Sequence, residues 1–173
     1  MVIVGIDPGI NGAAAALHPV DRDGEEFISD AIDLPTMSDG SKSQIDEVRF
    51  SRWLALVGAT HAVIENVRPM PSIPGKDAVR RSMGAASAFR FGMAVGQLRA
   101  AVRLAGIEPE FAEPSVWKRY FALSGPDKEQ SRQLALRLFP GSGYLLRRKK
   151  DHQRAEAMLL AKWGIRPIIG RNW

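Results

Sequence analysis

Short unbroken apolar runs and longer stripes at helical spacing divide this chain into readable pieces. Val2-Ile3-Val4-Gly5-Ile6 is apolar without alternation, Asp7-Pro8-Gly9-Ile10-Asn11-Gly12 interrupts it, and Ala13 to Leu17 is apolar again. A run of β-formers that does not alternate predicts a strand buried on both faces, and the Pro-Gly and Asn-Gly steps predict a turn; together they read as a hairpin. Phe27 to Leu34 reads as a third strand stopped by Pro35, and the Ser-, Gly- and Asp-rich stretch 36–43 as a polar loop. From Gln44, the positions Ile45, Val48, Trp53, Leu54 and Val57 follow helical spacing until Gly58. Ala62 to Val67 is a second short buried strand and, like the first, it carries an acidic residue near its C-terminal end.

The stretch 68–76 holds Pro69, Pro71 and Pro74 and reads as an exposed loop. The longest helical stretch is predicted over 77–104. Its first half carries Arg80, Arg81 and Arg90 among small residues, and its second half turns apolar with Val95, Leu98, Val102 and Leu104. Small residues at helical spacing let a helix pack closely, either against a second subunit or within one. Ile107 to Phe111 is a last strand. Glu113-Pro114-Ser115 opens a helix with proline near its first turn, Asp127 leads another through Leu138, and a basic linker over 144–150 precedes a final helix from Asp151 to Trp163, closed by Gly164. With no internal repeat and no linker, 1–173 reads as a single domain. The element order predicts an α/β fold, a mixed central sheet flanked by helices.

The totals narrow the chemistry. Of 173 residues, 45% are hydrophobic and 25% charged, which suits a folded globular chain. No apolar stretch reaches the roughly 18 residues of a membrane span, and the N-terminus lacks the layout of a signal peptide, so no membrane association is expected. The absence of cysteine removes disulfides and thiolate metal sites, and three scattered histidines make a His-rich zinc site a poor reading. Any metal is then expected to be oxygen-held, as Mg²⁺ or Mn²⁺. The net charge of +5 and a pI near 9.9 are mild pointers to a polyanionic partner.

Asp7 and Glu65 each fall where a buried strand ends, the sheet edge at which α/β proteins place their sites. If the two strands are parallel neighbours, the carboxylates lie side by side and call for a cation. In the last helix His152 and Glu156 are four apart and share a face, while Ala155, Leu159 and Ala161 face inward. Asp151 stands at the helix start, as a ligand or as a cap. Asp7 taken alone reads first as a turn-capping aspartate, and Glu156 is also readable as half of a surface pair with Lys162 or Arg154. A sugar-kinase or actin-type phosphate loop also follows an early Asp with glycines, but this chain is too short for two such lobes. Strand-borne plus helix-borne carboxylates describe a two-metal phosphodiester site, with two Mg²⁺ ions roughly 4 Å apart and water as nucleophile.

Gly5-Ile6-Asp7-Pro8-Gly9, Ile64-Glu65-Asn66-Val67, Glu113-Pro114-Ser115 with Lys118, Asp127-Lys128-Glu129-Gln130 and Ala155-Glu156-Ala157 together resemble the RuvC Holliday junction resolvases, over almost the full length and in the family's order. Lys149-Lys150-Asp151-His152 and Trp117-Lys118 resemble the bacteriophage branch. The resemblance implies an RNase H-like fold, a homodimer in the cytoplasm of a bacterial or phage-infected cell, and Mg²⁺- or Mn²⁺-dependent nicking of four-way junctions and other branched DNA. Asp7, Glu65 and Glu156 match the family's acidic positions. Gln153 stands where the cellular pattern has an acidic residue or histidine, so the resemblance leaves Asp151, favoured as a metal ligand, and His152, near the scissile phosphate or as a proton carrier, to complete the set. Lys118 is expected at the phosphate. Arg68, Lys76, Arg80, Arg81, Arg148 and Lys149 are expected to grip DNA phosphates without reading sequence. A nuclease acting on RNA–DNA hybrids, and a branched-DNA-binding module with weak or lost catalysis, are the alternatives.

Overall fold

The structure, a computed structural model, describes residues 1–19, 24–40, 42–67, 84–123 and 127–169. Strand β1 (Ile3–Asp7) pairs antiparallel with β2 (Ala13–His18), which pairs antiparallel with β3 (Phe27–Asp33). On its other side β1 pairs parallel with β6 (His61–Glu65), and β6 with β7 (Glu110–Ala112), giving the sheet order β3-β2-β1-β6-β7. The central strands are buried on both faces, as their unbroken apolar runs predict. Ile3, Ala13, Ala15, Leu17 and Val63 face one core, and Val4, Ile6, Ala14, Ala16, Ala62 and Ile64 face the other.

The first core is closed by α5 (His152–Ile169), with α3 (Pro114–Tyr120) and α4 (Glu129–Leu138) beside it. The second is closed by α1 (Glu47–Leu56) and α2 (Ala85–Leu104). The fold is therefore the mixed sheet flanked by helices that the element order predicts. No described helix is long and apolar enough to cross a membrane.

The last strand is shorter than the expected Ile107 to Phe111, covering Glu110–Ala112, and three other local expectations change. The stretch expected as a polar loop forms a hairpin, β4 (Thr36–Asp39) and β5 (Lys42–Ile45), separate from the main sheet. Its polar faces hid it, because a solvated two-stranded ribbon need not alternate apolar with polar residues. Consequently α1 starts later than Gln44: Asp46 caps it by accepting from the Arg49 N–H at 2.9 Å, and Phe50 is buried while Val48 is exposed. Finally, α5 runs through Gly164 instead of ending there. That glycine serves close packing, since a Cβ at 164 would lie 2.5 Å from Val63 Cγ2. At the other contact a Cβ on Gly5 would lie 2.1 Å from the Ala157 carbonyl oxygen, so the α5 backbone rests directly on β1.

Candidate active site

The register of β1 and β6 brings Ile6 opposite Ile64, so the next residues along, Asp7 and Glu65, emerge together at the C-terminal ends of two parallel strands. Burial and the neighbouring Glu65 and Glu156 carboxylates push the Asp7 pKa well above its ordinary value, against the lowering effect of Lys118 and Lys128. Glu65 is buried. Its pKa is also raised, by burial first, although Lys118 and a hydrogen bond from Trp117 oppose the shift. Two neighbouring carboxylates with raised pKa values mark a place short of positive charge.

Helix α3 supplies part of that charge. Pro114 begins it with a preset φ, and its single turn after Val116 sends two side chains to the carboxylates. The buried Trp117 indole N–H donates to Glu65 Oε1 at 3.0 Å. Lys118 places Nζ 3.9 Å from Glu65 Oε1 and 3.5 Å from Glu156 Oε2. Ser131 Oγ on α4 donates to Glu156 Oε1 at 3.3 Å. Beside Glu65, Asn66 Nδ2 donates to Glu113 Oε1 at 2.6 Å, tying the end of β6 to the start of α3. The resulting open cleft has a volume of about 360 Å³; its walls include Asp7, Lys118, Lys128, Ser131, His152, Gln153 and Glu156. Glu65 reaches the group through Lys118 without lining the cleft itself.

The first turn of α5 separates Asp151 from His152. His152 Nδ1 donates to the Lys149 carbonyl at 3.3 Å, since a carbonyl can only accept, and that bond selects the tautomer whose Nε2 is an acceptor. Nε2 is buried and has no partner. Asp151 instead turns away: Oδ2 accepts from the Arg148 N–H at 2.7 Å, and Oδ1 from Arg148 Nε at 2.8 Å. Burial would raise the Asp151 pKa, but these Arg148 bonds hold it below its ordinary value. The expected ligand therefore does not line the cleft, because a buried carboxylate is best satisfied by the guanidinium and amide next to it.

Arg148, expected at DNA phosphate, is for the same reason committed to Asp151, with Nη2 also 3.5 Å from Asp33 Oδ2. Arg154 Nε donates to Asp33 Oδ1 at 2.7 Å, and Lys162 pairs with Glu26. Both surface partners considered for Glu156 are thus engaged elsewhere. Lys149 is exposed beside the first turn of α5. Arg68, Lys76, Arg80 and Arg81 lie outside the described residues. Sequence reading missed Trp117 as a donor, together with Ser131 and Asp33. Trp117 was visible beside Lys118, but nothing in the spacing shows its N–H turning to β6.

Among the described residues, no three His, Asp or Glu side chains close on one point as they stand, with the Lys118 ammonium within reach of two of the carboxylates. The donor set nevertheless suits a hard divalent cation. It consists of carboxylates whose ionised forms are disfavoured without added positive charge and an imidazole whose buried acceptor nitrogen is orphaned.

The mixed five-stranded sheet with helices on both faces is an RNase H-like fold, shared with solved resolvase structures. The Thermus thermophilus RuvC in complex with a Holliday junction substrate superposes with a TM-score of 0.68 at 16% identity, over 98% of this chain and 97% of that one. The yeast mitochondrial Holliday junction resolvase gives 0.59 at 15% identity, over 98% of this chain and 81% of that one. In sequence, a chloroplastic Holliday junction resolvase of Chlamydomonas reinhardtii is 43% identical over 57 residues, which are 32% of this chain and 6% of that protein. The chain thus spans a small fraction of the curated relative it matches. No protein-family model matches it.

Proposed function

We propose that this chain is a divalent-metal-dependent endonuclease that nicks four-way junctions and other branched DNA, acting as a homodimer. The observation that carries the reading is the placing of Asp7, His152 and Glu156 on the walls of one open cleft at the strand ends, with Glu65 joined to them through Lys118. Asp7, Glu65, Glu156 and His152 would hold the metal, Mg²⁺ or Mn²⁺. When bound, it supplies Lewis-acid stabilisation of the phosphate and lowers the pKa of water. Lys118, on a cleft wall and paired with two carboxylates, exchanges those partners for a phosphate oxygen as DNA enters. Ser131 keeps Glu156 oriented, and Trp117 does the same for Glu65. Lys149, with Arg68, Lys76, Arg80 and Arg81, would neutralise the backbone of the arms. The relatives named above are junction resolvases, and that likeness supports branched DNA as the substrate in preference to an RNA–DNA hybrid.

The dimer reading is supported by α2. Phe89 and Met93 stand exposed on it beside the open glycines Gly92 and Gly96, an apolar face that a second copy would cover.

The test is a nicking assay on an end-labelled immobile four-way junction with and without Mg²⁺ or Mn²⁺, using linear duplex and RNA–DNA hybrid as controls. Metal-dependent paired nicks at the branch point are expected. Cleavage of the hybrid alone, or tight junction binding with no nick in either metal, overturns the proposal.

A further inference from the structure

Four charged side chains outside the cleft form a chain of ion pairs: Asp151 to Arg148, Arg148 to Asp33, and Asp33 to Arg154. Asp33 ends β3, and its place in the sheet is informative. Asp7 is paired in register with Ala13, and Ala13 with Asp33. The three residues therefore form one row across the sheet, with Asp33 about 10 Å from Asp7 given the spacing of neighbouring strands.

The two arginines reach that row from the segment carrying the helix-borne site residues. Arg148 lies just before α5, and its partner Asp151 sits immediately before His152. Arg154 lies between His152 and Glu156. At about 100° per residue it projects roughly 160–200° from them, on the opposite side of the helix. A pull on Arg154 toward Asp33 thus sets the rotation of the first turns of α5 about its axis. The Arg148–Asp151 pair fixes where the helix begins, with the Asp151 N–H bonded to the Arg148 carbonyl at 2.9 Å as well.

We propose that Asp33, Arg148, Asp151 and Arg154 form a positioning clamp that indexes the first turns of α5 to the sheet row of Asp7, so that His152 and Glu156 meet the strand-borne carboxylates. Its kinetic test rests on the nuclease reading; its structural test does not. Asp151 acts here through the helix and touches neither metal nor substrate. Asp33 lies at the surface, so changing it does not open the core. Toward the far end of α5 the helix is held differently, by Gly164 packing against β1 and β6 and by the single Lys162–Glu26 pair.

The experiment compares wild type with Asp33→Asn, Arg154→Gln and the double variant. Three quantities are measured: single-turnover nicking at saturating metal, the junction Kd, and amide hydrogen exchange resolved to residues 152–156. Each single change is expected to slow nicking about tenfold, in keeping with the sensitivity of catalysis to misplacements of an ångström or less. Junction Kd should stay within about twofold, and exchange should quicken at the start of α5 before it does in β1 or β6. The double variant should be no slower than Asp33→Asn, because that change already removes the Asp33–Arg154 link together with the Asp33–Arg148 one. Unchanged rate and exchange, additive losses, or exchange rising equally throughout the sheet each overturn the clamp. If wild type nicks no branched DNA, the nuclease reading fails, and the exchange arm still decides the clamp by itself.

Discussion

Trp117 donates its indole N–H to Glu65 Oε1 at 3.0 Å, so a side chain buried in the core also aims a carboxylate of the site. Trp117→Phe deletes that donor and also part of a fully buried ring, so a cavity cost is added to the lost hydrogen bond. The buried Glu65 oxygen loses its partner, which is expected to cost about 1–3 kcal/mol and to raise the Glu65 pKa further. A lower denaturant midpoint with an unchanged slope checks the first effect.

Asp7→Asn is expected to lower nicking by more than about 100-fold while junction binding persists, because it removes a ligand and no phosphate contact. His152→Ala should raise the Mn²⁺ concentration giving half-maximal nicking by about 10–100-fold, the range typical of groups that tune a metal site. A metal titration separates the two. Lost junction binding by folded Asp7→Asn protein, or an unmoved Mn²⁺ midpoint in His152→Ala, counts against these assignments.

The metal-free protein should show a stability curve with opposing limbs. Asp7 and Glu65 have raised folded-state pKa values, so the folded form holds their protons more tightly than the unfolded form does. Their effect is a loss of stability as pH rises from the ordinary carboxylate range through the raised values. Asp33 and Asp151 are depressed, Asp33 chiefly by the Arg154 hydrogen bond and Asp151 by Arg148 against its burial, so their contribution is present above about 3.8 and lost on further acidification. Thermal midpoints measured across pH should therefore fall at both ends, and saturating Mg²⁺ or Mn²⁺ should flatten only the upper limb.

Gly5→Ala would drive a Cβ to 2.1 Å from the Ala157 oxygen and 2.4 Å from the Ala161 nitrogen. Both are backbone atoms that cannot rotate aside. The expected cost is at or beyond the upper end of the about 1–3 kcal/mol usual for overpacking, read as a fall in melting temperature.

Phe89→Asp, placed on the exposed face of α2, should leave the secondary structure intact, convert the dimer to monomer in sedimentation and remove any concentration dependence of the melting temperature. A chain already monomeric in wild-type form rejects the dimer reading.

Much of the architecture was legible because it rests on features local in sequence. The double-sided burial of β1 and β6 is written in their unbroken apolar runs, and the acidic residues ending them stand out against those runs. The hairpin over 36–45 was not legible, because its strands are polar and short. The end of α5 was misread because Gly164 looks like a stop signal, whereas its reason is a neighbour 101 residues earlier in the chain, Val63. The same limit applies to the site. Spacing shows that His152 and Glu156 share a face, but the choice between Asp151 and His152 depends on where Arg148 and Asp33 lie in space. Sequence offers no distance between those last two residues, 115 positions apart.

The bare patch that Gly5 presents to α5 also acts as a check on alignment. A slip of β1 by one residue would interchange its two faces, bringing Val4 or Ile6 to the spot where the Ala157 carbonyl tolerates no side chain, and turning Asp7 away from Glu65. A chain threaded in the wrong register could not seat its last helix at all. An atom the glycine lacks thus guards the address of the carboxylate two residues further on, and misaligned molecules are left unfinished instead of folded and inert.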